Sequence, residues 1–587
     1  MILAIALSAL VLLGWGFVSQ TYFPTASEPT TKVERGKSVP LPQPNASPAI
    51  DTPAANRDRA IVLAETPRVR IETPRLAGSI NLRGARIDDL VMTRHTETID
   101  PNSPPVRLFS PAGAPGAYFG QFGWTGQGGV AAPDSDTVWR ASGNRLTPAT
   151  PVTLSWDNGH GQIFQIVLSV DDGYLFTAEQ RVVNRGGTPI AVQPFALVSR
   201  VGQSPDIDSW TMHVGPVGVF DGAAHYTSNW SDVSAAGTQN FGTTGGWLGF
   251  TDKYWLAAVI PGQANAVNAS FRHNGTSDAY QADFTGAARI VPAGQAFVST
   301  SRLFAGAKEE AYLAAYTDSL GTRLDKAIDW GWFEWFMRPI FQLLNWLFAQ
   351  IGNFGVAIIC LTLIVRAILF PIANRQFASM AAMRAIQPKQ QALQERYADD
   401  KAKMQEELLK LYREEKVNPV AGCLPILIQI PIFYALYKVL LLAVEMRHEP
   451  FALWIRDLSA PDPLTPVNLF GYLNFTPPHL LAIGILPILL GITMWLQMRL
   501  NPQMPDPVQR QIFALMPWFL MFMMASFAAG LQLYWVTNNI ISIIQQRWMY
   551  HKHPALKTPM APRPALGGTP PPPPPPAGGT KKSRGKR

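Results

Sequence analysis

Five apolar runs separated by polar stretches fill the C-terminal half of the chain, at 354–376, 420–444, 480–498, 512–527 and 531–544. The first reads FGVAIICLTLIVRAILFPIANRQ and is long enough to cross a bilayer as a helix. It carries Arg366 inside it. A guanidinium at that depth costs about 3 kcal/mol on insertion scales, so such residues face a partner or a wet cavity. The four later runs contain no Asp or Glu. Neutral polar residues are present instead: Thr362 one turn before Arg366 on the same helix face, then Gln429, Tyr434, Tyr534, Asn538 and Asn539. An arginine among amides and hydroxyls implies a hydrated pocket within the membrane. The competing reading is a snorkelling arginine, since Asn374 ends the run about eight residues later, within ~12 Å at 1.5 Å per residue. Both readings are open on this stretch.

The N-terminal half has a different rhythm. Residues 2–23 form one apolar segment, long enough for a retained anchor and poor as a signal peptide, because no basic region precedes it and a small-x-small cleavage site is weak. Lys32, Arg35 and Lys37 follow it, an awkward flank that points to a short polar leader upstream of the given start. Residues 24–56 are rich in Pro, Ser, Thr and Ala and read as a disordered linker. From 61 to 306, short alternating runs such as PVTLSWDNGHGQIFQIVLSVDDGYLFTAEQRVV are broken by Gly, Asn, Asp and Pro, which predicts a large all-β sandwich. A short helix is expected over 309–326. The aromatic-crowded stretch 327–353, with Trp330, Trp332, Phe333, Trp335 and Phe336 around Glu334 and Arg338, predicts a helix lying in the bilayer interface.

Between the first two spans, residues 375–418 are polar and helix-prone, with a corner at 398–401, so an antiparallel hairpin is expected. Its apolar stripe (Met404, Leu408, Leu411) is thin. A docking surface and a merely solvated hairpin are both open. The last two spans read as about 16 residues, ~24 Å against a ~30 Å hydrocarbon core, which would thin the bilayer beside them. Pro425, Pro431, Pro487 and Pro517 interrupt the helices.

Charge sets the orientation. Only 15% of the 587 residues are charged and there are 17 Trp, as in a membrane protein with a sizeable soluble part. The net charge of +8 is concentrated in a tail: nine Lys or Arg and no acid lie between Arg547 and Arg587, a basic tail rather than a nucleic-acid-binding fold. The hairpin holds nine Lys or Arg, the loop at 445–478 only Arg447 and Arg456. Positive-inside then puts the hairpin, the 499–511 loop and the tail in the cytoplasm and the β-domain outside. Cys360 and Cys423 lie in apolar runs and give no disulfide framework or metal spacing. His95, His160, His213, His225 and His273, with seven Trp in the β-region, form no zinc, triad or paired-carboxylate pattern. No GxxxxGK[ST] occurs.

Four stretches carry a resemblance that extends over 330–550: FGVAIICLTLIVRAILFPI, KVNPVAGCLPILIQIPIFYALYKVL, EPFALWIRDLSAPDP and GLQLYWVTNNIISIIQQ. They closely resemble the YidC family of membrane protein insertases, and TDKYWLAAVIP resembles the large periplasmic domain of its Gram-negative branch. The resemblance implies an α-helical polytopic protein of six transmembrane helices, five forming the core, with an all-β supersandwich periplasmic domain. Its parts would be an anchor at 1–23, a linker at 24–57, the β-domain at 58–326, an interfacial helix at 327–353, a core at 354–550 with the hairpin 375–418, and a tail at 551–587. It further implies insertion of nascent membrane proteins at the inner membrane, alone or beside the SecYEG translocon, with both termini cytoplasmic. The groove would be lined by Arg366, Thr362, Gln429, Tyr434, Tyr534 and Asn538. The hairpin and the basic tail would meet the ribosome and the signal-recognition targeting machinery. No cofactor, metal, catalytic residue or specific nucleic-acid sequence is implied. Trp535 stands where the family often has Tyr, and the Pro570–Pro576 run lies outside the shared pattern.

Two other function classes are weighed against this. A transporter or channel lacks support, because no inverted hydropathy repeat and no intramembrane carboxylate occurs. A membrane-anchored periplasmic glycan-binding protein or enzyme would place its chemistry in the β-domain, where no catalytic constellation supports it.

Overall fold

The computed structural model describes residues 32–34, 37–39, 57–206, 208, 211–397, 400–415, 424–473, 482–500 and 507–552. The expected anchor at 2–23, Trp210, Cys423 and the tail beyond 552 lie outside them. Within the expected linker, Lys32–Glu34 and Lys37–Val39 pair as a short antiparallel ladder, a departure from unbroken disorder.

The β-region consists of two sheets. One has nine strands, ordered from Ala223–His225 through Gly215–Phe220, Trp247–Thr251, Trp255–Ile260, Ala296–Ala307, Leu175–Asn184, Gln162–Val170 and Val152–Asp157 to Arg140–Ala141. The other has eleven, nine along its main path and two beside it, with Ile190–Val201 and Tyr118–Gln127 near its middle. Pairing is antiparallel apart from Arg68–Glu72 with Arg145–Leu146. The period-two pattern is literal in Gln162–Val170, where every second residue is buried. Ile190–Val201 is buried along nearly all its length, as a strand covered on both faces must be. Phe164, Ile166, Phe176, Leu197, Val198 and Phe304 are among the core side chains. Two short helices, α1 (Arg59–Ala64) and α2 (Trp230–Ala236), flank the sheets.

Helix α3 (Glu310–Leu320) leads out of the sheets, ending on Gly321 at φ 65°. Two 3-10 turns intervene before α4 (Glu334–Ile351), which keeps Pro339 inside it. One side of α4 is buried through Met337, Phe341, Leu344 and Leu347, while Trp335 and Trp346 are exposed. Then come α5 (Phe354–Arg396), α6 (Lys401–Glu414), α7 (Leu424–Leu442), α8 (Ile485–Leu500), α9 (Pro507–Met524) and α10 (Ala529–Lys552). Among the described residues one helical stretch, Phe354–Asn374, is both long and apolar enough to cross a membrane; Gln429–Leu442, Ile485–Leu500 and Gln511–Met524 are shorter apolar helices.

The helix ends differ from the apolar runs in an instructive way. α5 does not stop near Asn374 but runs on to Arg396 as the first arm of the hairpin, 43 residues in all, Pro371 and Pro388 included. α9 and α10 have 18 and 24 residues, longer than the 16 read from hydropathy. Hydropathy marks where a helix leaves lipid, whereas backbone hydrogen bonding carries it on through Gln, Arg and Lys, which are good helix formers.

The chain divides into two compact units: Met1–Val365, Ile428–Met494 and Leu515–Asn539 in one, Arg366–Leu427, Trp495–Ala514 and Ile540–Arg587 in the other. In the second, Asp400 caps α6 by accepting from the Lys403 amide at 3.0 Å, and Lys389 Nζ meets Glu415 at 2.5 Å across the hairpin. That exposed pair contributes only ~0.2–1 kcal/mol. Ile386, Gln390 and Leu411 are buried while Leu409 is exposed, so little apolar surface holds the hairpin together.

Candidate functional site

Helices α5 and α10 are sided in the sense opposite to a soluble bundle. On α10 the polar residues Tyr534, Asn538, Ser542 and Gln546 recur every four positions, and all four are buried. Residues at this spacing share one helix face. The exposed apolar side chains of the same helix are Ile540, Ile544 and Trp548, with Arg547 and His551 exposed toward its end. α5 repeats the pattern: Thr362 is buried, whereas Leu363, Ile368, Phe370 and Ile372 are exposed. Polar faces turned inward and apolar faces turned outward are stable in hydrocarbon and costly in water.

In the first unit, Gln429 Nε2 on α7 donates to the Tyr534 hydroxyl on α10 at 3.0 Å. Asn539 Nδ2 donates to Thr493 Oγ1 on α8 at 3.2 Å. Thr362 returns its hydroxyl hydrogen to the Ile358 carbonyl of its own helix at 2.7 Å. Tyr434 is half-buried on α7 and Asn538 is buried on α10. Gln532 closes the α9–α10 turn by donating to the Met524 and Phe527 carbonyls, both at 2.8 Å. In the second unit, Arg366 donates from its guanidinium to Ser542 Oγ at 2.7 Å. Phe370 lies against Trp548 with ring centroids 5.6 Å apart.

Of the six expected groove residues, the structure therefore joins Gln429 to Tyr534 and gives Arg366 a hydroxyl partner. That partner, Ser542, was missed from sequence, although it stands four residues beyond Asn538. So was Lys438 of α7, whose ammonium lies 3.6 Å from Asp329 with the lysine side chain 2% exposed. Asp329 precedes α4 in the aromatic stretch and lies outside the apolar runs themselves.

The turn after α7 meets the β-domain. Arg447 donates to the Thr96 carbonyl at 2.7 Å and the Glu97 carbonyl at 3.2 Å, its guanidinium 5.4 Å from the Trp255 ring centre. Glu309 joins Arg75 at 2.9 Å and the Tyr174 hydroxyl. A Cβ on Gly306 would stand 2.1 Å from Tyr174, so glycine there lets the ring lie down toward Glu309. Arg338 on α4 reaches Glu310 at 3.0 Å. Glu445 accepts from the Glu310 amide at 3.2 Å.

The stem of Glu445 keeps some exposure, but its Oε2 is shut from solvent and lacks a hydrogen-bond partner among the described residues. Burial first, then the charges of Glu309 and Glu310, push its carboxyl up from 4.5 to about 7, against two backbone amides that pull it down. An acid raised in this way favours folding at low pH. Stability is therefore lost as pH rises from about 4.5 to about 7, by ~3 kcal/mol at most. Glu445→Gln keeps the acceptor for the Glu310 amide and should flatten this slope, giving a higher melting temperature than wild type at pH 8 and the same one at pH 4. A parallel decline in both proteins would contradict it.

Two of the β-domain histidines are engaged structurally, whereas His160 is exposed. His213 Nε2 lies 2.8 Å from the Pro216 carbonyl, and His225 Nε2 lies 2.7 Å from Ser228 Oγ. Burial, with a small contribution from His213, pushes His225 down to about 4, which keeps its ring neutral.

The family described as "60Kd inner membrane protein" matches residues 346–556, and "YidC periplasmic domain" matches residues 68–343. The chain is 50% identical over 557 residues to the membrane protein insertase YidC of Zymomonas mobilis subsp. mobilis, covering 94% of this chain and 95% of the relative. The chain belongs to the YidC family. The YidC of a Methylobacterium species is 46% identical over 598 residues, at 94% and 95% coverage. Among solved structures, an active YidC insertase with its first transmembrane domain resolved covers 93% of this chain and 99% of that one, at 19% identity and a TM-score of 0.35. A galactose mutarotase related enzyme from Lactobacillus acidophilus covers 40% of this chain at 10% identity and a TM-score of 0.28. Scores at that level transfer no architecture. The YidC relatives make this protein a membrane protein insertase of the inner membrane, with a β-sheet-rich periplasmic domain and nascent membrane proteins as substrates.

Proposed function

We propose that insertion proceeds by partition, without enzymatic chemistry, along the inward polar faces of α5, α7 and α10. Arg366 receives the acidic or polar flank of an incoming protein, and Thr362, Gln429, Tyr434, Tyr534 and Asn538 solvate it. The apolar segment passes meanwhile into lipid beside α7 and α9. The driving free energy is the burial of a ~20-residue apolar segment at about 25 cal/mol per Å². The groove lowers only the cost of carrying the polar flank, which would otherwise meet hydrocarbon. The buried four-residue stripe on α10 is the observation that carries this reading.

Six spans, five of them forming the core, place the hairpin, the tail and both termini in the cytoplasm, as positive-inside requires. The exposed, weakly packed hairpin and the basic tail suit contact with the ribosome and targeting machinery, and insertion proceeds alone or beside SecYEG. A photo-crosslinker at 429 or 534 should capture a stalled single-span nascent chain. Capture of lipid alone at both positions would refute the groove. Deleting residues 58–300 should leave insertion measurable, whereas loss of all activity would move the chemistry into the β-domain. Tyr534→Phe removes the acceptor of Gln429 and should cost ~1 kcal/mol of thermal stability, read against Tyr534→Ala as the larger loss.

A further inference from the structure

The loop after α7 is built with its polarity reversed. Asp462 and Thr465 are buried, whereas Leu453 and Tyr472 are each 89% exposed, and Val467, Leu469, Phe470 and Leu473 are also exposed. From Pro463 to Pro478 the sequence has no charged residue. Six large apolar or aromatic side chains facing water within one short loop is more than scattered surface hydrophobicity.

The backbone spends energy to present them. Leu453, Leu469 and Phe470 have φ of 57°, 50° and 60°. This left-handed region costs a residue with a Cβ about 1–2 kcal/mol each. Such strain persists where the surroundings reward the direction in which the side chains point.

The loop is also held at a fixed level. Asn353, just ahead of α5, donates to the Phe451 carbonyl at 2.8 Å. Gly355 in the first turn of α5 leaves room for the Phe451 ring, since a Cβ there would stand 2.0 Å from it. At the start of α10, Ala529 and Gly530 donate to the Ala460 and Leu458 carbonyls at 2.8 and 2.9 Å. At the start of α8, the Leu486 amide donates to Asp462 Oδ2 at 2.7 Å and the Ile485 amide to the Leu464 carbonyl at 3.1 Å. Asp462 Oδ1 accepts from the Leu464 amide and from Trp454 Nε1, both at 3.0 Å. One loop thus stitches the first turns of three helices, and it cannot rise away from the plane where they enter the bilayer.

We infer that the loop from Leu453 to Leu473 lies in the periplasmic leaflet, with Leu453, Leu469, Phe470 and Tyr472 seated at the boundary between headgroups and acyl chains. This rests on the topology proposed above, in which α5, α8 and α10 start on the periplasmic side. Aromatic side chains with one polar edge favour this boundary, and an uncharged strip avoids the cost of desolvating ions there. The seated loop would both anchor the bundle and close its outer end.

The test uses the full chain with Cys360 and Cys423 replaced by Ala, and single cysteines at 470 or 472 carrying an environment-sensitive fluorophore. The protein is reconstituted in phosphatidylethanolamine–phosphatidylglycerol vesicles containing brominated lipids. Quenching should be strongest for bromines ~5–10 Å below the headgroups, absent for a label at exposed Ile290 of the β-domain, and weakened at 472 by Phe470→Asp. If labels at 470 and 472 are not quenched while one at Ile368 of α5 is, the loop proposal falls and the topology stands. If Ile368 is also unquenched, both fall. Self-quenching between labels at 472 in place of lipid quenching would assign the patch to a second copy of the chain and overturn the proposal.

Discussion

Asp329→Asn should destabilise the protein by ~3 kcal/mol or more, because it strands the Lys438 ammonium in a buried site without a counter-charge. Lys438 is 2% exposed and lies 3.6 Å from Asp329, whereas the aspartate side chain is 21% exposed. The two partners are therefore unequal. Lys438→Met leaves behind a carboxylate that water can still reach, and which also accepts from the Gly331 amide at 2.9 Å. Its cost should be smaller, and adding Lys438→Met to Asp329→Asn should recover most of the loss. Thermal unfolding of the three variants in one detergent measures the order. Equal losses for the two single variants, or no recovery in the double, would show that the pair is not buried in the membrane-embedded protein. The pair joins α7 to the segment ahead of α4, so the same variants should also loosen α4.

Arg366→Glu should reduce insertion of substrates with acidic translocated flanks at least roughly tenfold, while substrates with neutral flanks change little. A hydrogen bond to a charged group is worth ~1.5–3 kcal/mol, and about 1.4 kcal/mol is a factor of ten. The variant also loses the bond to Ser542, so Arg366→Gln serves as the uncharged control. If both variants affect acidic and neutral substrates alike, Arg366 acts in packing and not in attracting charge. A protease-protection assay on two single-span substrates differing only in one flanking Asp reads the difference.

Much of this was legible in the sequence because two periodicities are hard to disguise. Strands such as Gln162–Val170 alternate strictly, and α5 carries a long apolar run whose one charged residue before Arg375 is Arg366. The polar residues of the spans were also visible as departures from hydrophobicity. Which of them meet was not. Gln429 and Tyr534 lie 105 residues apart, and only helix packing brings them to 3.0 Å. Ser542 was overlooked because a lone serine in an apolar run is unremarkable until the four-residue spacing from Tyr534 is counted. Helix ends were misplaced for a general reason, since hydrophobicity reports the solvent and hydrogen bonding reports the helix. The role of Asp462 could not be read at all: it holds two backbone amides and an indole N–H that are distant in pattern, and its sequence neighbourhood of prolines suggests only a turn.

The most direct test of the account is whether water reaches its polar face. With Cys360 and Cys423 replaced by Ala, single cysteines at 366, 429 and 534 would be exposed to a membrane-impermeant maleimide added to inverted inner-membrane vesicles, with cysteines at Ile368 and Phe519 as lipid-facing references. We expect the three groove positions to be labelled from the cytoplasmic face and the two references to stay unlabelled. Protection of 366, 429 and 534 to the same degree as 368 and 519 would mean a dry, filled bundle, and partition through a wet groove would then be wrong.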